Sequence, residues 1–343
     1  MSTSNPAPNG PAGPIYPSVR ISPANDAISK DLGLLAELAG TWHGKGFNLI
    51  ARPDGLGGQP LFLELNQTDE TLRITEIGSD IPNRGDGVAD IDLFGLTYLQ
   101  KISDSVTGGA LHIEPGIWVR LPDDPGLPTQ QNVVRMGTIP HGNALLAEGT
   151  AILVPSLAGG TFAIAPVNTA PFPQGSPMPA GGTVSKFPEF DLTVPESAAN
   201  PRTPFGNTPP IPLPASIDGV PMQTVINDPT RLLQAAIKGQ NIKQMTVIDI
   251  ATVANPTGTK PVPGGGGGIE NIPFLQTNAN AAVVFATFWI ETIAHPLLGE
   301  FMQLQYVQTV ILNFPIVKPP APPVPFSWPH VSVATLRKTF GGQ

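Results

Sequence analysis

Proline is so frequent in this chain that it limits the choice of fold before any motif is considered. The sequence holds 42 prolines and 37 glycines among 343 residues. Because proline removes a backbone donor and breaks helix interiors, a helical bundle or coiled coil is excluded. The prolines and glycines lack the three-residue period of collagen. With 41% hydrophobic and only 13% charged residues, the chain is also unlike a disordered one. We therefore expect a β-rich globular protein with long proline-rich connections.

The net charge and the lack of cysteine exclude several kinds of partner and cofactor. The net charge is −8 and no basic stripe is present, so a nucleic-acid partner is not expected. The absence of cysteine excludes disulfides, iron–sulfur clusters and thiolate-ligated metals. The first residues lack the basic and apolar regions of a secretory signal, and the strongly apolar run 281–290 is too short to span a bilayer. These features predict a cytoplasmic protein without a membrane partner.

Short alternating segments cover most of the chain and predict strands. Residues 1–24 are rich in Pro, Asn and Ser and are expected to form a flexible arm, followed by a short helix before Gly40. Strands are predicted at 42–52, 61–67, 71–77, 94–103, 110–121, 132–139, 143–154, 242–253, 281–293, 301–314 and 328–338. Such spacing is typical of an all-β fold, an antiparallel up-and-down β-barrel. We expect residues 25–154 and 241–340 to form this single barrel domain.

A proline-rich insertion, residues 155–240, separates the two parts of the barrel. It is too long for an ordinary loop and is expected to lie outside the barrel, mostly without regular structure. One short helix is predicted at 229–238, because Asp228 can cap it, Pro229 suits its first turn and Gly239 ends it. The apolar residues of the insertion favour a docked lid or a contact between the subunits of a homodimer over a loose tail.

Three motifs in a fixed order carry a family resemblance. They are LAGTWHGKG at 38–46, GALHIEPGIWVR at 109–120 and WPHVSVATLRK at 328–338. Their residues and order resemble nitrobindin, a haem-binding relative of the calycin barrels, which include lipocalins and fatty-acid-binding proteins. The resemblance covers roughly residues 28–154 and 280–340, and the proline-rich insertion has no counterpart in it.

The resemblance implies ferric haem b held by an axial histidine that opens the last strand, which is His330 in this chain. Without cysteine, the candidates for an axial ligand are His, Tyr and Met, so His330 also suits the residue chemistry. On a strand, His330 shares a face with Ser332, and small residues there leave room for a flat macrocycle. The candidate cofactor-binding residues are therefore His330, Ser332 and Trp42. Trp42 is also expected to plug one end of the barrel, with Arg337 over its ring.

His112 and Glu114 share one strand face and are the secondary candidates for a metal or haem site. A metal site would need a third ligand, and the sequence names none. In the resembling family this pair is a strand signature, which favours structural hydrogen bonding. The other histidines, His43, His141 and His295, are expected at the surface, and the alternative for His330 itself is a surface position at a strand start.

Three functions remain open at this point. The first is a haem protein whose ferric iron binds nitric oxide, isomerises peroxynitrite or reacts with peroxide as a peroxidase. An efficient peroxidase would need a general acid–base group beside the iron, and the sequence identifies none. The alternative is a lipocalin-like carrier of an apolar small molecule. The third is an interaction protein that uses the proline-rich insertion as its binding surface.

Overall fold

The computed structural model describes residues 25–54, 58–123, 125–126, 128–157, 160–206, 213–253, 266–316 and 322–339. The predicted flexible arm, residues 1–24, lies outside the described residues. Among the described helices, none combines the length and apolar character needed to cross a bilayer.

Strands dominate the described chain. The first part contains α1 (Asn25–Leu32), a 3-10 helix (Gly33–Leu38), β1 (Gly40–Arg52), β2 (Leu61–Glu76), β3 (Ile81–Asn83), β4 (Ile91–Asp104), β5 (Ala110–Arg120), β6 (Gln130–Ile139) and β7 (Asn143–Val154). The insertion contains β8 (Phe172–Pro173), a 3-10 turn (Pro188–Phe190), β9 (Arg202–Gly206), β10 (Ser216–Ile217), β11 (Val220–Pro221), α2 (Met222–Asn227) and α3 (Thr230–Ala236). The last part contains β12 (Asn241–Ala251), β13 (Gly267–Asn271), α4 (Pro273–Asn278), β14 (Asn280–His295), β15 (Gly299–Ile316) and β16 (Val324–Thr339).

Ten strands close into an antiparallel barrel in the order β1, β2, β4, β5, β6, β7, β12, β14, β15, β16. Each strand pairs with the next one in this order, and β16 pairs with β1 to complete the circle. The insertion enters between β7 and β12, which are themselves neighbours in the sheet. The prediction of an all-β, antiparallel up-and-down barrel is therefore confirmed.

The N-terminal helices close one end of the barrel. Leu32, Leu35 and Leu38 are buried there together with Trp42, whose indole Nε1 donates to the Leu38 carbonyl at 2.8 Å. We call this the closed end, and the opposite end, which carries the β4–β5 and β6–β7 turns, the mouth.

Lys338, and not Arg337, covers the indole of Trp42. The Lys338 Nζ lies 5.2 Å from the Trp42 ring centroid, whereas the Arg337 guanidinium lies 4.7 Å from the ring of Phe301. The prediction for Arg337 was wrong because side chains alternate along β16, so Arg337 faces away from the interior that Lys338 shares with Leu336.

The insertion packs on the outside of the barrel wall. Phe190 is 1% exposed and contacts Phe326 and Trp328 of β16, with ring centroids 5.5 Å away in both cases. This cover explains why Phe47 and Leu49 are buried although they face away from the barrel interior. The insertion contains two short helices, α2 and α3, where the sequence predicted one at 229–238. The Asp228 carboxylate caps only the second, through the Thr230 N–H at 3.2 Å.

Candidate functional site at the mouth of the barrel

His330 projects from the inner face of β16 towards the mouth. Its neighbours in the sheet are Ile50 on β1 and Val310 on β15. The imidazole is partly buried, and its Nε2 lies 2.8 Å from the side-chain nitrogen of Asn48, which also donates to the Ser332 hydroxyl at 3.3 Å. Asn48, Ser332 and His330 thus form one hydrogen-bonded unit across two strands.

The electrostatic environment keeps His330 neutral. Burial, and then the neighbouring imidazoles of His112 and His141, lower its pKa from 6.5 to about 4. A neutral imidazole retains a lone pair and can act as a metal ligand.

The Asn48 side-chain oxygen in the same unit is buried and has no hydrogen-bond partner among the described residues. The unit is therefore incompletely satisfied as it stands.

A second polar group lies on the inner faces of β4, β5 and β6. The buried Glu114 carboxylate accepts hydrogen bonds from the Tyr98 hydroxyl and from Arg135 Nη2, the latter at 2.8 Å. His112 Nε2 lies 3.3 Å from the other carboxylate oxygen. Burial alone would raise the pKa of Glu114, but the Arg135 charge and the hydrogen bonds from His112 and Tyr98 lower it to about 2. The carboxylate is therefore ionised at neutral pH.

Arg135 is the buried counter-ion of this group. Its Nη1 donates to Gln308 on β15 at 2.7 Å, and its Nε donates to the Tyr98 hydroxyl at 3.1 Å. The guanidinium also lies 5.8 Å from the Trp118 ring centroid and 5.6 Å from that of Phe288. An arginine can satisfy several partners at once because its planar donors are fixed in a fork. Arg135 therefore connects opposite walls of the barrel interior.

Two glycines create the space for this group. A Cβ atom at Gly137 would collide with the Glu114 carboxylate and the Tyr98 hydroxyl, and one at Gly116 would collide with the Tyr98 ring. Gly116 belongs to the His-x-Glu-x-Gly motif of β5. The motif therefore has a local structural reason, since the Tyr98 ring, whose hydroxyl binds the carboxylate two residues earlier, needs the room that this glycine leaves.

A third polar group, on β2, β4 and β15, contains a second buried carboxyl. Glu70 accepts from Gln100 Nε2 and from the Tyr306 hydroxyl, both at 2.7 Å. No cation lies within ion-pairing distance of Glu70 among the described residues. Burial raises its pKa to about 7, although the two hydrogen bonds act in the opposite direction. The barrel thus holds one carboxyl that is ionised and one that titrates near neutrality.

A cleft of about 840 Å³ is lined by residues of β1, β2, β4, β5 and the β6–β7 turn. His112 and His141 both line it, and their ring centroids are 6.2 Å apart. His141 is exposed, and burial and then His112 lower its pKa. Within the described ranges, no three His, Asp or Glu side chains are close enough to hold a metal ion among themselves.

The structure brings together most of the residues that the sequence named. His330 and Ser332 share one hydrogen-bonded unit, and His112 pairs with Glu114 nearby. Trp42 is not part of this region, because it pairs with Lys338 at the closed end while Ile50 pairs with His330. His43 is exposed beside Thr71, and His295 is exposed at the end of β14, next to the β14–β15 turn.

Sequence reasoning missed several polar residues of the barrel interior. Asn48, Glu70, Gln100 and Arg135 all occupy inward positions in strands that also present apolar residues or glycine to the interior. A polar side chain at such a position was the available signal, because it must find a buried partner. Tyr98 and Tyr306 also belong to this polar interior, because their hydroxyls are the partners of the two carboxyls.

No protein-family model matches the chain, and no curated protein matches it either. Among solved structures, the chain is similar to the crystal structure of Rv2717c from M. tuberculosis. The two share 12% sequence identity over 90% of this chain and 98% of that chain, with a TM-score of 0.37. That TM-score is too low to identify a shared fold.

Proposed function

We propose that this protein is a nitrobindin-like haem-binding barrel in which His330 is the axial ligand of haem b. The observation that supports the proposal is the state of His330: partly exposed on the inner wall near the mouth, with a pKa of about 4. An imidazole that stays neutral across the physiological range is available to iron without first losing a proton. As an enzyme, the protein would be a peroxidase or a peroxynitrite isomerase.

Two small residues and one amide adjoin His330. Ser332 and Ala334 follow it on the same face of β16, and both side chains are small. The Nε2 lone pair faces the Asn48 amide, so ligation at Nε2 replaces one ordinary hydrogen bond. Bound ferric haem would supply an open iron coordination position for nitric oxide, peroxide or peroxynitrite.

The remaining residues of the site would have a structural role, which is to position the pocket walls. In the haem-free protein the Asn48 amide holds the imidazole through Nε2, and the same amide nitrogen donates to Ser332. Arg135 and Glu114 neutralise each other inside the barrel and connect its walls. A wall fixed in this way keeps His330 and the facing strands at a constant separation.

Titration of the purified protein with ferric haem tests the proposal. We expect a Soret band with a one-to-one end point in the native chain and its loss or strong weakening in His330→Ala. His295→Ala is the matched control, because His295 is an exposed histidine at the end of β14. The far-ultraviolet circular dichroism of all three proteins should remain β-rich.

Equal haem affinity in His330→Ala and the native chain would refute His330 as the ligand, and the same titration of His112→Ala would then test the next candidate. A native chain that takes up no haem but binds an apolar fluorescent probe in the barrel would favour the lipocalin-like carrier.

A further inference from the structure

We propose that Glu291 is a proton-dependent latch that holds the proline-rich insertion on the outer wall of the barrel. In its protonated form the carboxyl group stays buried beneath the insertion, and loss of the proton weakens the docking of α3. Glu291 lies outside both the proposed haem site and the polar interior of the barrel. The inference therefore goes beyond the proposed function and does not depend on haem.

Glu291 lies on the outer face of β14, although its side chain is buried. The adjacent Ile290 packs in the barrel interior, whereas Trp289 and Ile293, two residues away on either side, pack between the wall and the insertion. Glu291 shares their face and is nevertheless 0% exposed. The insertion covers this face, since the Phe162 ring centroid lies 5.9 Å from that of Trp289. Undocking of the insertion would therefore bring Glu291 into contact with water.

Hydrogen bonds through two glutamines connect Glu291 to the insertion. Gln303 lies directly opposite Glu291 on β15, and its Nε2 donates to Glu291 Oε2 at 2.7 Å. Gln303 and Gln240, the last residue of the insertion, also exchange two amide hydrogen bonds, at 3.1 and 3.2 Å. Beside them, Gln305 Nε2 donates to the Leu233 carbonyl of α3 at 3.1 Å. The carboxyl group thus belongs to the polar contact that joins the barrel wall to the end of the insertion.

The ionised form of Glu291 is poorly accommodated at this position. The Oε1 atom is buried and has no hydrogen-bond partner among the described residues. Burial raises the pKa of Glu291 to about 8, and the hydrogen bond from Gln303 acts in the opposite direction. A buried carboxylate with an unsatisfied oxygen and no counter-ion is costly, so the docked form favours the neutral acid.

The charged side chains of the surrounding elements do not compensate for this cost. They are Lys243 on β12, His295 on β14, Glu300 on β15, Arg337 on β16, and Asp228, Arg231 and Lys238 on or beside α3. Lys243 pairs with Glu300 at 2.7 Å, and Arg231 pairs with Asp228 at 3.1 Å. Within the described part of the chain, none of the basic groups forms an ion pair with Glu291.

These contacts set the direction of the pH dependence. Undocking returns Glu291 to water and to its ordinary pKa of 4.5, so the docked form keeps a proton that the undocked form releases. Docking is therefore strongest below pH 4.5 and weakens by about tenfold per pH unit until the docked form also ionises near pH 8. Gln240 and Gln303 both line a cleft of about 480 Å³ between α3 and the wall, and undocking would widen it.

Hydrogen exchange of the α3 amides tests the latch. Glu291→Gln is a neutral replacement and should keep α3 docked over the whole pH range. After correction for intrinsic exchange rates, native α3 should lose protection by roughly 10²-fold relative to this variant between pH 5.5 and pH 7.5. Glu300→Gln is the matched control, because it makes the same change at a side chain that is 56% exposed on the facing strand, and it should behave like the native chain.

The same experiment separates a latch from a general effect on stability. The amides of β5 and β6 should show no such difference between the native chain and Glu291→Gln, because these strands lie away from the insertion. Equal pH dependence of α3 in both proteins would overturn the proposal. An equal loss of protection in β5 and β6 would also overturn it, because the whole barrel would then respond.

Infrared spectroscopy reports the proton itself. The difference spectrum between the native chain and Glu291→Gln should contain a carboxylic acid band at pH 6 that disappears by pH 9. A carboxylate band at pH 6 in its place would overturn the proposal. Both measurements use the haem-free protein, so their outcome is independent of the haem titration.

Discussion

The Asn48 side-chain nitrogen lies 2.8 Å from Nε2 of His330 and joins β1 to β16 across the inner wall of the barrel. The same amide nitrogen reaches Ser332, so one asparagine sets the position of two residues of the proposed haem site. Any metal that binds His330 through Nε2 must compete with this amide. The hydrogen bond therefore orients His330 in the haem-free protein and must be broken before Nε2 can bind a metal.

Replacing Asn48 with Ala should increase haem affinity. A typical hydrogen bond contributes about 1 kcal/mol, so its removal before ligation should tighten binding by roughly fivefold. Asn66→Ala is a matched control, because Asn66 pairs with Asn48 in the sheet but bonds to Glu64 and not to His330. Haem titrations of both variants measure the difference. Equal affinities would show that the amide does not compete with iron.

Loss of the Arg135 charge should strongly destabilise the barrel. Arg135→Met leaves the Glu114 carboxylate buried without its counter-ion, which typically costs about 3–5 kcal/mol. Adding Glu114→Gln to the same chain removes the uncompensated charge and should recover a large part of that stability. Urea unfolding of the two single variants and the double variant forms the test. Additive losses would indicate that the two residues act independently.

The Glu114 carboxylate also predicts acid sensitivity. Its pKa falls from 4.5 to about 2 on folding, so the folded chain binds fewer protons than the unfolded chain in this window. The corresponding stability is complete above pH 4.5 and is lost as the pH falls towards 2. Glu114→Gln should remove this part of the acid dependence, and an unchanged acid limb of the unfolding profile would contradict it.

Glu70→Gln should change the pH dependence with the opposite sign. Burial raises the pKa of Glu70 to about 7, so the folded chain keeps a proton that the unfolded chain releases near 4.5. The contribution of Glu70 to the free energy of unfolding is therefore largest below pH 4.5. It falls by on the order of 3 kcal/mol as the pH rises to 7. The glutamine variant should lack this decline. Thermal unfolding at pH 5 and pH 8 measures it, with Glu64→Gln as the inward-facing control on the same strand.

The barrel could be predicted from the sequence because its strands obey simple alternation. Leu72 and Ile74 face inwards with polar residues between them, as the pattern of β2 indicates. The Gly-Thr-Trp start of β1 likewise predicts a buried Trp42 at one end. Both features involve residues that are adjacent in the sequence, so the sequence alone is enough to predict them.

The polar interior could not be predicted in the same way, because each of its contacts joins residues far apart in the chain. Asn48 meets His330 from the other end of the sequence, and Arg135 meets Gln308. Such contacts follow from barrel closure and register, which one sequence does not specify. The proline-rich insertion shows the same limit, since Phe47 and Leu49 are buried only because distant residues cover them.

Phe190 provides the test of how firmly the insertion is docked. Its ring is 1% exposed and packs against Phe187, Phe326 and Trp328, so Phe190→Ala should cost about 3–5 kcal/mol. Val184→Ala is the control within the same insertion, because Val184 is 65% exposed and its replacement should change stability little.

Limited proteolysis should cut residues 160–220 slowly in the native chain and in Val184→Ala, and quickly in Phe190→Ala. Because β16 carries both the Phe190 contacts and His330, faster haem loss should accompany the cutting. Rapid cutting of the native chain without haem loss would instead identify the insertion as a passive linker.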